Sequence, residues 1–513
     1  MKQHALRLLH LAHRWLGIAS GLLILGWFVS GLVMLYVPFP KLTPDERVAH
    51  LEPLRAESLR LAPAEAARAC AGAPRSLRLA MGGGHPVYHF VTPDGACSVR
   101  ADDGRRVEVS AEGVRDAVRR FAPTATPLAI DPIERDQWTV YATYDVHRPL
   151  LRVPLDDAAG TTLYVSSRSG EVLADTTRFE RGWNWIGTVV HWIYFTPLRG
   201  DDTRLWRQLV LWLPVPAVLA VGAGLALGVQ RLRLRRRYPR GAVTPYRGWK
   251  RWHHLLGLGA GTLAASWLVS GWLSNHPFGL LPFSGLPKGA TQTLAGLPFR
   301  PADDLGLLRR QLAQVEDARE AEWYRFGGRS YLEVRTPGHV TRLDDLARPA
   351  PPFSPEALAA AIEAVEGRPV DRAELIHEPD LYYYGRRNQV VLPAARIRVA
   401  DAEDTTWYLD PATGRVLSRI DDANRLHRWV FNALHRLDVP PLHALPGLRE
   451  GLATALCVLG ALLAGSGCVL ATRRLARRRR SPAAAHHAAV AVPKCGSVRP
   501  PSPVVGAPEG PVG

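Results

Sequence analysis

Residues 13–31, HRWLGIASGLLILGWFVSG, return 240 positions later as residues 253–271, HHLLGLGAGTLAASWLVSG. His13 falls on His253, Leu16 on Leu256, Gly17 on Gly257 and Gly21 on Gly261. Trp27, Val29, Ser30 and Gly31 fall on Trp267, Val269, Ser270 and Gly271. Matches in register at one fixed offset mark an internal repeat. Each copy is also a run of about 20 residues with almost no charge, the length that crosses a hydrocarbon core of ~30 Å. Two more such runs occur, at about 209–229 and 451–472. A second set of matches lies at an offset of 244. Asp136 falls on Asp380, Arg152 on Arg396, Tyr164 on Tyr408, Gly170 on Gly414, Arg181 on Arg425 and His191 on His435. Each half therefore reads as a helix, a long polar segment and a second helix. Two such units in the same orientation are parallel repeats, related by an axis along the membrane normal.

Charge orients the four runs. The segments before the first run, between the second and third, and after the fourth hold twenty basic residues and a single acid, Glu509; the whole chain carries +17. Basic short loops stay in the cytoplasm. This predicts a multi-pass protein of the bacterial inner membrane with both termini inside and two long segments in the periplasm. The high isoelectric point is then a topology signal and points away from nucleic acid, since the charge sits at membrane exits without aromatic interleaving. The first run is too long for a signal-peptide core and has no small-residue cleavage site before Pro38, so it reads as an uncleaved anchor.

The expected fold class is a four-helix transmembrane bundle built from two parallel repeats, with two α+β periplasmic domains. The divisions are 1–37 (N-terminus and first helix), 38–205 (first periplasmic domain), 206–230 (second helix) and 231–252 (basic cytoplasmic loop). They continue as 253–274 (third helix), 275–448 (second periplasmic domain), 449–472 (fourth helix) and 473–513 (disordered tail). Within the outer segments, TTLYVSSRSGEVL from Thr161 and TTWYLDPATGRVL from Thr405 read as strand, turn and strand, with Gly170 and Gly414 supplying the turn. Ala- and charge-rich stretches at 112–121 and 355–366 read as helices. Cys70 and Cys97 lie in the first outer segment, where a disulfide is permitted and not required. No CxxC or CxxCH occurs, which speaks against iron–sulfur clusters and covalently attached haem.

The paired histidines carry the chemistry. His13 and His253 start the first and third runs at equivalent places, and a pseudo-twofold axis sets them across the bundle. His191 and His435 precede the second and fourth runs on the outer side. A single histidine at a membrane interface usually only sits in the polar zone. Two symmetry-related pairs point instead to axial ligation of haem iron at two depths. Gly17, Gly21, Gly257 and Gly261 leave room for a flat macrocycle, although small residues also serve close helix packing. Arg181 and Arg425 are candidates for pairing with haem propionates.

These residues resemble a known family. HRWLG…WFVSG, the stretch RGWNWIGTVVHWIYFTPLR and YLDPATGRVL look like PepSY-associated transmembrane proteins, over about residues 10–475. The resemblance implies PepSY-like outer domains, two b-type haems on His13, His253, His191 and His435, and reduction of a ferric siderophore in the periplasm. SSRSG in the first half departs from the DPATG of the second. The implied partners are membrane lipid, a ferric chelate, and an electron donor that is a quinol or a cytoplasmic reductase, since no nucleotide-binding motif is present. A second expectation is a haem-free, membrane-anchored PepSY module that binds or regulates a periplasmic peptidase. A permease is disfavoured, because the runs lack buried charges and paired proline breaks.

Overall fold

The computed structural model describes residues 2–385, 390–443 and 445–488. Four helices are long and apolar enough to cross a membrane: Gln3–Tyr36, Arg204–Arg231, Trp249–Leu273 and Pro446–Arg477. Only 22% to 28% of the residues in their most apolar stretches are buried inside the protein. The remaining apolar surface faces outward and needs a non-aqueous solvent, so this is a membrane protein. The second helix breaks at Leu213, ahead of Pro214, into Arg204–Trp212 and Pro214–Arg231, where proline removes a backbone donor. The fourth continues to Ala488, through part of the tail expected to be disordered. Alanine and arginine are good helix formers and extend it. Residues 489–513 lie outside the described residues.

Around the bundle, the first helix packs on the second and fourth, and the third does the same. The first and third helices are therefore diagonal. Ile24, Phe28, Ala217, Ala264, Leu268 and Ala464 form the centre. Phe28 fits because position 460 is glycine; a Cβ there would stand 2.2 Å from its ring.

The outer segments form three antiparallel sheets. One sheet has β4 (Asp131–Ile133), β5 (Leu150–Pro154), β6 (Thr162–Ser166) and β7 (Val172–Thr176) in sequential order. Helix Ala111–Phe121 packs on it through Val114 and Val118. A second has β11 (Val370–Ile376), β12 (Ala394–Val399), β13 (Thr406–Leu409) and β14 (Val416–Ile420). Helix Pro355–Glu366 covers it through Leu358 and Ile362. The two strand–turn–strand segments stand where the sequence puts them, as β6–β7 and β13–β14. Gly170 and Gly414 both have φ +73°, a conformation open to glycine at no steric cost.

The third sheet differs from the expectation of two separate outer domains. It holds β1 (Ser76–Gly82), β2 (His85–Thr92) and β3 (Gly95–Arg100) from the first outer segment, and β8 (Glu320–Phe326), β9 (Arg329–Thr336) and β10 (His339–Leu343) from the second. The order is β10-β9-β8-β1-β2-β3. β1 and β8 join the halves, with Leu77 opposite Trp323 and Ala80 opposite Glu320. Either hairpin group alone leaves an edge strand open; pairing edge to edge satisfies both. Leu77, Leu79, Tyr88, Phe90, Leu332 and Val334 make one core across the join. Cys70 and Cys97 form a disulfide beside it.

Charges lock the smaller sheets to the shared one. Glu171 ends the β6–β7 turn and accepts from Arg78 of β1 at 2.7 Å. Arg78 also reaches Glu320 of β8 at 2.8 Å, and Arg47 pairs with the same carboxylate. At the matching place in the β13–β14 turn stands Arg415, which meets Glu322 of β8 at 3.2 Å and Glu333 at 3.3 Å. Arg78 and Glu322 are cross-strand neighbours. The signs are swapped between the halves, so each turn fits its own strand and repels the other. Burial would raise the Glu171 carboxyl, but Arg78, His89 and Arg47 outweigh it and hold the group below its usual range. Burial pushes the neighbouring His89 down to about 4.

Candidate functional site: two facing histidine pairs

His13 lies within the first helix and His253 near the start of the third, on diagonal helices. Their ring centres are 6.0 Å apart. The outer pair needs more construction, because neither residue is on a spanning helix. In the first half, helix Arg178–Ile186 breaks at Gly187, and a short turn of helix, Thr188–Trp192, carries His191. In the second, Asp422–His427 and a wide turn over Arg428–Ala433 lead to Leu434–Arg436, which carries His435. Each segment then reverses at a residue in the left-handed region, Ile193 with φ 56° and Leu437 with φ 54°. These branched and bulky residues are strained there, at a cost of order 1–3 kcal/mol each. The reversals bring the two rings to 6.3 Å.

All four rings are held by Nδ1. His13 Nδ1 donates to the Ala220 carbonyl at 2.8 Å. His253 Nδ1 meets Ser466 Oγ at 2.9 Å. His191 Nδ1 meets Ser30 Oγ at 3.0 Å. His435 Nδ1 donates to the Trp267 carbonyl at 3.0 Å, with Ser270 Oγ at 3.3 Å. Among the described residues, none of the four Nε2 atoms has a hydrogen-bond partner. A carbonyl that fixes Nδ1–H leaves Nε2 as the lone-pair nitrogen, the arrangement of a metal-binding histidine.

Each ring also rests against a glycine of another helix. An added Cβ would stand 2.6 Å from the His13 ring at Gly224 and 2.8 Å from the His435 ring at Gly271. At Gly467 it would stand 3.3 Å from His253, and at Gly31 3.7 Å from His191. Gly31 and Gly271 belong to the repeated motif. Gly224 and Gly467 were not singled out in the sequence, although both lie in apolar runs at a near-repeat spacing. At the repeated glycines Gly17, Gly21, Gly257 and Gly261, an added Cβ would meet none of the four histidines. A Cβ on Gly21 would meet Cys468, one on Gly257 Leu463 and one on Gly261 Leu225, while Gly17 faces open space.

A cavity of about 660 Å³ surrounds the outer pair, lined by His191, His435, Gly31, Gly271, Trp27, Trp267 and other apolar groups. That is the size range of cofactor sites. Arg181 and Arg425 do not line it. Arg181 donates to the Thr176 and Gly160 carbonyls at 2.9 and 2.8 Å. Arg425 donates to the Glu403 carbonyl at 2.8 Å and pairs with Asp404. Both tie a helix to the sheet before it, which accounts for their matching positions without a cofactor. Ser30 and Ser270 donate to carbonyls of their own helices, Trp27 at 3.1 Å and Ser266 at 2.6 Å, and they reach the outer histidines as well.

Among the described residues, no three or more His, Cys, Asp or Glu side chains come together in a way that could hold a metal ion. The arrangement on offer is two imidazoles facing each other, twice, in low-dielectric surroundings. No protein-family model matches the chain, and no curated protein matches it.

Proposed function

We propose that this chain is a bacterial inner-membrane protein that binds two b-type haems and delivers electrons to a ferric chelate, such as a ferric siderophore, on the periplasmic side. The observation that carries the reading is the spacing of the histidine pairs, 6.0 and 6.3 Å between ring centres. An imidazole nitrogen binds a first-row metal ion at about 2 Å and its ring centre stands about 1 Å behind, so two imidazoles on opposite sides of one ion set their centres roughly 6 Å apart. Two protein ligands would leave such an ion short of partners, a deficit that a haem would make good with its own nitrogens. The free Nε2 atoms and the glycine cradles fit that demand. When bound, the haems would supply one-electron carriers at two depths.

The protein's own residues do the rest. His13 with His253, and His191 with His435, would hold the iron. Ala220, Ser466, Ser30 and Trp267 fix the ring tautomers and make Nε2 more basic. The apolar walls of Trp27, Phe28, Trp267 and Leu268 exclude water. We read the halves as parallel repeats with PepSY-like outer units. The basic segments lie in the cytoplasm and the sheets in the periplasm, an oxidising compartment that suits the Cys70–Cys97 bridge. A quinol or a cytoplasmic reductase is the donor.

Purified protein tests this directly. It should show a Soret band that shifts on dithionite reduction and two haems per chain by pyridine haemochrome. A colourless preparation from haem-sufficient cells overturns the reading in favour of a haem-free module that binds a periplasmic peptidase. Reduction assays across ferric siderophores then define the acceptor.

A further inference from the structure

The outer cavity is one-sided in charge. Among the described residues that line it are two arginines, Arg436 and Arg449, and no aspartate or glutamate. Arg436 belongs to the segment joining β14 to the fourth long helix, and Arg449 to the first turn of that helix. At the 244 offset their counterparts in the first half are Trp192 and Leu205, neither of them charged. Arg449 is buried, with its side chain 11% exposed, and pairs with Asp438 at 3.1 Å. A second buried guanidinium adjoins them: Arg428 donates Nη1 to the Asp438 carbonyl at 2.8 Å, and its Nη2 has no hydrogen-bond partner among the described residues. Arg428 thus meets the Asp438 backbone and Arg449 the Asp438 carboxylate. Cationic groups in the wall of an apolar cavity make that side receptive to an anion.

We infer that the outer cavity is shaped for a flat apolar ligand with an anionic edge, and that Arg449, with Arg436 beside it, receives the carboxylates of that edge. The inference rests on the haem reading and deepens it. The two histidines alone would not fix which way the ligand's anionic edge points. The arginines fix that direction by drawing the propionate edge to the second half, and they take the role first expected of Arg181 and Arg425. A planar guanidinium is suited to this because it meets a carboxylate through two parallel N–H donors.

The test uses full-length protein in detergent, with the inner site disabled by His13→Ala. Protohaem and its dimethyl ester, which lacks the anionic edge, are titrated into the outer site. The free acid should bind about tenfold more tightly than the ester. With Arg449→Gln added, the acid should fall to the ester's affinity while the ester's own affinity holds. Equal binding of acid and ester by the His13→Ala protein overturns the inference and leaves the haem reading standing. Uptake of neither compound overturns the haem reading, and the inference with it. A preference for the acid that survives both Arg449→Gln and Arg436→Gln overturns the assignment to these arginines. The ester comparison needs no arginine variant, so it decides the matter even if Arg449→Gln does not fold.

Discussion

The inner and outer histidine pairs reach nearly the same spacing by different means. His13 and His253 ride on straight helices, so their positions follow from how the bundle packs. His191 and His435 sit on short segments that turn back at strained residues, Ile193 and Leu437. Those segments descend from the outer sheets. The inner pair therefore depends on the bundle, whereas the outer pair depends on the bundle and the sheets together. Perturbing the sheets should reach one pair and spare the other.

The largest test of this division is removal of the ligands. His13→Ala or His253→Ala should abolish one haem and keep the other, and His191→Ala or His435→Ala should do the converse. Haem stoichiometry and separate redox titration waves measure it; loss of neither haem would falsify the pairing. Next come the glycines. Gly271→Ala pushes a methyl group to 2.8 Å from the His435 ring and should cut retention of the outer haem about tenfold, a cost of roughly 1.4 kcal/mol. Gly31→Ala, with 3.7 Å of clearance from His191, should leave it unchanged.

The sheets come third. Opening the Cys70–Cys97 bridge, which spans 27 residues, should lower the stability of the shared sheet by about 3 kcal/mol. In thermal melts the outer haem should then be released before the inner one. The last is a pH effect. His89 is held neutral in the folded protein, down to about 4, whereas an unfolded histidine takes up its proton near 6.5. The unfolded chain thus binds more protons between these values, and stability falls as the pH drops through that window. The total is roughly 3 kcal/mol, complete near pH 4. Glu171, held low, adds its own loss below the ordinary carboxylate range. His89→Gln should flatten the first part of the curve, read as outer-haem release against pH. An unchanged curve would detach the charged seam from acid sensitivity.

Much of this was legible in the chain. A run of apolar residues flanked by arginines needs no tertiary information to be read as a spanning helix. The strands around Tyr164 and Tyr408 were legible because alternation and a turn glycine are local signals. The facing histidines were legible through symmetry, although nothing in the sequence showed how His191 and His435 would turn back to meet. What escaped was non-local. The union of β1 with β8 depends on two edges far apart in the chain. Gly224 and Gly467 matter only because a ring from another helix leans on them. Arg181 and Arg425 show the limit of symmetry as a guide, because a duplicated structural staple leaves the same trace in the sequence as a duplicated ligand.

The shared sheet also has a consequence in time. Glu320, opposite Ala80 in the ladder, is made some 240 residues later. At ordinary synthesis rates of about 5–20 residues per second, the edge of β1 waits roughly 12–50 s for its partner. Throughout that interval the first half is a hairpin group with an unpaired border, anchored at the membrane and open to any passing strand. Biogenesis of this protein therefore contains an obligatory vulnerable period. It closes only when β8 of the second half has been made and has paired with β1, so a chain truncated after its second helix should be a substrate for proteases and chaperones and not a working half.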